Sequence, residues 1–304
     1  MAMFGLSGQV IAALLSVYVF WGGTYMAGKF AIETMPPTVM AGVRFLLSGI
    51  LMYGWECTRG LDRTGWPEWR DAAVSGCCML AFANGSMVWA QQYIPSALSA
   101  VVLGMTPLWI VLLGWLWQKE PRPGGPVWTG LLLGFAGVAL LAGDAAMGGA
   151  NNYFLGICIS NGSALFWAIG SLYSRKSRQP KRPLQWVAMQ MLCAGAALCL
   201  IAVPTGQWQQ LNLHAISTKS LMGFLYLITC GSFLGYASYV WLLNNTQTSI
   251  AATYAYVNPL VAVFVGWLLA GEVLGVREAL ATGLIVSAVA LITRGNRRPA
   301  KANH

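Results

Sequence analysis

The sequence predicts an all-α integral membrane protein of ten transmembrane helices, built as two inverted five-helix repeats with both chain ends in the cytoplasm. Three observations lead there: an apolar composition, a block of residues that occurs twice, and the placement of the positive charges. Hydrophobic residues make up 57% of the 304 and charged residues only 9%, with a mean hydropathy of +0.60. So little polar surface cannot cover a soluble globule of this length.

The twice-used block runs from Ser249 to Glu272. Shifted back by 152 positions, Pro259 falls on Pro107, Gly266 on Gly114, Trp267 on Trp115, Leu268 on Leu116 and Glu272 on Glu120. The register extends upstream, where Ser238, Val240 and Trp241 fall on Ser86, Val88 and Trp89. Between Ser86 and Glu120, 11 of 35 positions are identical to their partners; shared apolar bias supplies Leu, Val and Ala, but does not choose Trp and Pro. The front of each half repeats at an offset of 146, with Phe20-Trp21 on Phe166-Trp167, Lys29 on Arg175, Pro37 on Pro183 and Gly49 on Gly195. Insertions in loops produce such a change of offset. Two five-helix units follow, residues 1–146 and 147–304, joined near Ala146 to Asn152.

A helix needs roughly 20 apolar residues to cross a hydrocarbon core of about 30 Å. In the first half such segments lie at Val10 to Phe30, Thr38 to Cys57, Ala72 to Tyr93, Ser96 to Trp117 and Val127 to Ala142. The second half offers Tyr153 to Tyr173, Leu184 to Val203, Leu221 to Leu243, Ser249 to Leu269 and Glu278 to Thr293. The first segment does not read as a cleaved signal peptide, because residues 1–9 hold no Lys or Arg and no small-residue cleavage site follows.

Cytoplasmic loops retain Lys and Arg. With the N-terminus inside, the inner loops and tail hold fourteen: Arg59, Arg63, Arg70, Lys119, Arg122, Arg175, Lys176, Arg178, Lys181, Arg182, Arg294, Arg297, Arg298 and Lys301. Lys29, Lys219 and Arg277 fall outside, and Arg44 lies within the membrane. The net charge of +9 is therefore topogenic. It forms no continuous basic patch with interleaved aromatics, so nucleic acid is not an expected partner. The seven cysteines sit almost entirely in apolar helices as small hydrophobes, and neither a disulfide framework nor metal spacing is visible.

Five spans per half is an odd number, so the second half must run through the bilayer in the opposite sense. Many secondary transporters are built this way: the halves adopt unlike conformations and exchange them, exposing a midplane site to each side in turn. Phe20-Trp21-Gly22-Gly23-Thr24-Tyr25, Val43-Arg44-Phe45 and the blocks 107–120 and 259–272 also carry a resemblance over the whole chain to the EamA-type transporters of the drug/metabolite transporter superfamily, bacterial amino-acid and metabolite exporters among them. That resemblance implies a monomer in a bacterial cytoplasmic (inner) membrane, with a central cavity between helices 1–4 and 6–9 and with helices 5 and 10 to one side. Gly130 to Gly134 and Gly283 to Ser287 fit close helix approach independently, since small residues four apart let backbones meet.

Pro107 and Pro259 fall about half-way along helices 4 and 9 and are read as hinges. Each lacks an amide hydrogen and frees the carbonyl four residues back, at Leu103 and Ala255. A freed carbonyl in lipid needs a partner or a wet cavity, which nominates Gly104, Met105, Tyr256 and Asn258 as cavity residues; a plain structural kink is the alternative. Arg44 lies seven residues into helix 2, roughly 10 Å deep. Either it snorkels or bonds backbone, or it meets a substrate carboxylate. Its repeat partner, Gln190, is neutral. Trp21, Tyr25, Asn84, Trp89, Gln91, Trp109, Trp167, Tyr236, Tyr239 and Tyr254 complete the substrate-binding candidates, each weighed against ordinary packing or an interfacial belt. Trp21 and Trp167 stand out because matched positions on helices 1 and 6 would face the repeat axis.

The carboxylates fall in loops or at helix ends: Glu33, Glu56, Asp62, Glu68, Asp71, Glu120, Asp144, Glu272 and Glu278. A proton-coupled exporter of cationic drugs needs a buried acid that alternates between proton and cation, and a phosphate exchanger needs several buried Lys or Arg. Three pattern matches are set aside. Gly23 to Lys29 mimics a phosphate loop without its strand or its Ser/Thr. The glycosylation triplets at Asn84, Asn161 and Asn244 lie in or beside spans. His214 and His304, the two histidines, sit in a loop and the tail, so no catalytic triad, zinc site or cofactor is expected, nor enzyme activity.

The reading is a secondary transporter exporting small amphipathic metabolites, neutral or aromatic amino acids above all, by alternating access. Movement would be gradient-driven or proton-coupled through loop-edge groups. A multidrug or cation/proton antiporter of the same superfamily is the first rival, and a membrane sensor or scaffold without transport the second.

Overall fold

The computed structural model describes residues 6–90, 93, 102–142, 153–258, 260–261 and 276–295. These residues form helices joined by turns and irregular loops, and no strand occurs among them. Helix α1 is Gly8–Ile32, started by the Ser7 hydroxyl, which accepts from the Val10 amide at 3.3 Å. Helix α2, Pro37–Thr58, and helix α7, Pro183–Ile201, each open on a proline, whose missing N–H costs nothing in a first turn. Gly60, at φ 84°, ends α2 in the left-handed region.

Helix α3 is continuous but uneven: Trp66–Gly76, a wide π-helical stretch Cys77–Phe82, and Ala83–Ala90. Helix α4 is Thr106–Leu116, α5 Gly125–Ala142 and α6 Tyr153–Lys176. Helix α8, Thr218–Asn245, is α3's counterpart in having a π-helical middle, Leu227–Tyr236. A shift of 152 carries residues 77–82 onto 229–234, inside that stretch. Helix α9 starts at Thr248–Ala251, breaks at Ala252 and Thr253, and resumes over residues 254–258 and 260–261. Helix α10 is Val276–Gly295.

Among the described residues, five helices are long and apolar enough to cross a bilayer unaided: Gly8–Ile32, Pro37–Thr58, Phe154–Lys176, Pro183–Ile201 and Thr218–Asn245. Their outer faces are greasy, with Phe154 80% and Leu200 71% exposed. Water would penalise such faces and lipid does not. The helix that carries the expected third span, Ala72 to Tyr93, begins ahead of it, at Trp66, so Asp71 precedes the span, and Tyr93 lies in a turn. Residues 96–101 of the expected fourth span, and 259 and 262–269 of the expected ninth, lie outside the described residues.

The main core joins α1, α2, α3, α7, α8 and α9, with Val17, Phe45, Met79, Trp186, Tyr239 and Ile250 among its buried members. Helices α2 and α7 cross antiparallel at two glycines that are repeat partners. A Cβ on Gly49 would lie 2.9 Å from the Leu192 amide nitrogen and 3.1 Å from the Ala188 carbonyl; one on Gly195 would lie 2.6 Å from the Leu46 amide and 2.9 Å from the Gly42 carbonyl. Subtracting 146 from 192 and 188 gives 46 and 42, so the contact is reciprocal. Helices α5 and α10 form a second core with Val111 of α4 and Tyr256 of α9. Gly130 lets α10 approach there, as expected, but Gly134 faces Tyr256, and the space beside Gly283 is open. Gly137 takes the expected role, against Ile285.

Candidate functional site

Where α1, α6, α8 and α9 converge, five aromatic rings pack together. Trp21 meets Trp167 edge to face at 5.5 Å between centroids, Tyr254 edge to face at 4.9 Å and Tyr239 at 5.3 Å. Trp167 also touches Tyr239 at 5.6 Å and Tyr236 at 6.5 Å. Edge-to-face geometry sets the positive ring edge on a neighbouring π face. The five rings pack edge to face or tilted against one another at this crossing.

Each polar edge in this cluster has a partner. Trp21 Nε1 donates to the Gly231 carbonyl at 3.0 Å. Trp167 Nε1 donates to the Tyr239 hydroxyl at 3.1 Å, which also lies 2.8 Å from Ser171 Oγ. The Tyr236 hydroxyl donates to Gln190 Oε1 at 3.1 Å, while Gln190 Nε2 donates to Ser75 Oγ at 2.7 Å and Ser174 Oγ at 3.1 Å. Tyr18, one turn before Trp21, lies 2.6 Å from Thr253 Oγ1 at the break in α9.

Arg44 stands beside this cluster on α2. Its Nε donates to Ser232 Oγ at 3.1 Å, and its guanidinium carbon lies 4.9 Å from the centre of the Phe45 ring. Among the described residues, Nη1 and Nη2 have no hydrogen-bond partner, and no carboxylate pairs with the guanidinium. A charge on a membrane helix without a counterion is costly and usually faces a cavity or a polar partner. Asn258, 3% exposed on α9, has an Oδ1 with no partner among the described residues.

The structure does not bring the other candidates into the cluster. Trp109 donates to Asn161 Oδ1 at 2.9 Å and packs on α6. The Tyr256 hydroxyl donates to the Leu131 carbonyl at 3.3 Å, fastening α9 to α5. Asn84 Nδ2 donates to the Met79 carbonyl at 3.1 Å and so closes the wide turn of α3. Met105 and buried Gly104 form the turn before α4. The side chains of Tyr25 and Trp89, and all of Gln91 and Pro259, lie outside the described residues.

Pro107 lies in the first turn of α4, just past that turn, and the Leu103 carbonyl it frees is met by the Thr106 hydroxyl at 2.6 Å. In α9 the described break is at Ala252 and Thr253, ahead of the expected position, with the Thr253 hydroxyl donating to the Ile250 carbonyl at 2.7 Å.

One end of the bundle, here called inner because the charge count assigns its loops to the cytoplasm, is tied across the two halves. Glu120, after α4, pairs with Arg175 of α6 and accepts from Thr248 of α9 at 3.1 Å. Glu56 of α2 pairs with Arg182 at 3.0 Å, before α7. Asp71 of α3 accepts from Tyr173 at 2.9 Å and from the Arg178 amide at 3.2 Å. A cavity of about 200 Å³ lined by Asp71, Trp117, Gln118, Tyr173, Lys176 and Ser177 lies here. At the opposite end Lys219 pairs with Glu33 at 2.7 Å. Sequence reasoning missed Gly231, Ser232, Ser171 and these ties. Glu120 alone carried a signal, as a repeated position.

A model of the EamA-like transporter family matches residues 8–143 and again 154–294. An uncharacterized inner membrane transporter of Escherichia coli, YedA, is 36% identical over 290 residues, which cover 94% of this chain and 91% of that one. An uncharacterized transporter of Bacillus subtilis, YvbV, is 26% identical over 92% of this chain and 90% of its own. A solved crystal structure has a TM-score of 0.78 at 19% identity, covering 93% of this chain and 95% of that one, which shows the fold alone.

Proposed function

The chain belongs to the EamA-like transporter family, and from that premise we propose that this multi-pass transporter of the bacterial inner membrane exports small amphipathic carboxylates, neutral or aromatic amino acids above all. The observation that carries the reading is Arg44, a cation in a membrane helix with both terminal nitrogens unpartnered among the described residues, beside five packed rings. A guanidinium fork suits a carboxylate, and aromatic faces suit an apolar or aromatic side chain. Asn258 Oδ1 is an acceptor for the ammonium end. The described partners of the rings are hydroxyls, amides, a thioether and backbone carbonyls; a cation exporter would need a carboxylate in that place.

Alternating access between units 1–146 and 147–304, inverted relative to each other across ten spans, fits three features. The family matches fall one per unit. The Gly49 and Gly195 contacts are reciprocal. The inner ties cross from one unit to the other. In this reading α2 and α7 form the pivot, the ring cluster separates as the units rock, and the solute takes its place between Trp21 and Trp167.

The test is counterflow in proteoliposomes with a panel of amino acids and amines, with and without a pH gradient. Amino acids should exchange and the matched amines should not. Arg44→Gln should lower exchange about tenfold or more, the weight of one charge-assisted hydrogen bond. Exchange of amines in preference to amino acids would overturn the reading in favour of an antiporter for cations.

A further inference from the structure

The two halves are not equivalent where Arg44 sits, and the difference can be traced to single residues. On α8, Gly231 faces Thr24 of α1 and the Arg44 guanidinium: a Cβ there would lie 2.7 Å from Nη2 and 3.2 Å from Thr24 Cγ2. The repeat partners of these residues are Met79 on α3, Gly170 on α6 and Gln190 on α7. There the sizes are exchanged, since a Cβ on Gly170 would collide with the Met79 side chain. Met79 is fully buried, and Gln190 has its amide engaged by Ser75, Ser174 and Tyr236. One half has a filled, neutral, hydrogen-bonded pocket. The other has a glycine and, among the described residues, a single serine bond and a guanidinium fork without a hydrogen-bond partner.

We infer that Gly231 is a specificity-determining residue: its missing side chain makes the berth in which Arg44 keeps two nitrogens open to the carboxylate of the solute. The inference rests on the carboxylate reading above and adds to it the residue that sets it. The solute is then polarised in the site, its anionic end against α1, α2 and α8, and its apolar end on the rings. The wide π-helical turn of α8 carries both Gly231 and Ser232. Such turns re-aim consecutive residues that a regular helix would spread over its surface.

The atom nearest a Cβ at 231 is the tip of a flexible side chain. Gly231→Ala therefore displaces the guanidinium before it strains the helices. A larger block is Gly231→Met with Thr24→Gly, which copies into α1 and α8 the Met79–Gly170 pairing that α3 and α6 already accommodate. Two readouts separate the claims. The first is labelling of Arg44 by phenylglyoxal, mapped by mass spectrometry on the purified protein, with L-phenylalanine or L-phenylalaninamide as protectant. The second is the ratio of exchange rates for the same two solutes in proteoliposomes.

The expected result is that Arg44 of the unaltered protein is labelled, that phenylalanine protects it and the amide does not, and that both the labelling rate and the exchange preference fall about tenfold in Gly231→Ala and in the double variant. Labelling and preference that survive in both variants overturn the berth. Labelling that depends on residue 231, with no protection by phenylalanine, overturns the carboxylate reading and leaves the berth standing.

Discussion

The indoles of Trp21 and Trp167 meet edge to face with centroids 5.5 Å apart, although 146 positions separate them and each holds the same place in its own half. Partners at an offset of 146 in the sequence are thus in direct contact in space. Their hydrogen bonds differ: Trp21 donates to backbone and Trp167 to a tyrosine. The contact joins two identical rings with unlike polar partners.

Trp21→Ala and Trp167→Ala should each lower exchange, and the double variant should lose less than the two effects added. Rings in one packed cluster couple by about 0.5–1.5 kcal/mol. A double-variant cycle on counterflow rates checks this, and strict additivity would place the two rings in separate sites.

Gly49→Ala and Gly195→Ala should each destabilise the folded protein by about 1–3 kcal/mol, the usual cost of overpacking, because each Cβ meets the partner helix's backbone. Gly54→Ala, on the same helix with open space around it, should be neutral or mildly stabilising, by about 0.5–1 kcal/mol. Thermal unfolding in detergent measures all three.

Glu120→Gln should loosen the inner end, since one carboxylate ties α4 to α6 and α9. A cysteine at Ser171, buried beside Tyr239, should then react several-fold faster with a membrane-impermeant maleimide from the inner side. The pair is about a third exposed, so the loss of global stability should stay below about 1 kcal/mol. An unchanged labelling rate would show that other ties hold this end shut.

Asp71 gives the pH dependence. Burial pushes its carboxyl up, but the hydrogen bonds from Arg70, the Arg178 amide and Tyr173 outweigh that and hold it below its ordinary 3.8. A depressed acid stabilises the fold above its unfolded value and loses that contribution as pH falls through the folded one. The contribution should therefore be complete at neutral pH and fade below about 4. Asp71→Asn should flatten this acid limb in thermal unfolding scans.

Duplication made part of this legible. Trp21 could be paired with Trp167 from the register, and Gly49 with Gly195, because each pair is identical at an offset of 146. Tyr256 and Trp109 could not be placed, since a helix apolar all round shows no face that points inward. Gly283 failed for the same reason. The break in α9 was hidden because Ala252-Thr253 has no local marker, while Pro259 further on attracted the prediction. Gly231 was readable in principle, as the partner of Met79, but its meaning depends on Arg44 from another helix. Contacts of that kind are decided by packing between distant segments.

The Leu103 and Ile250 carbonyls each lie at a break, and in each case a threonine three residues on donates its hydroxyl to them, joined at Ile250 by the Thr253 amide at 3.2 Å. The chain thereby carries its own solvent into the bilayer. Neither joint needs a water molecule or a lipid to satisfy that carbonyl, because the threonine beside it already does.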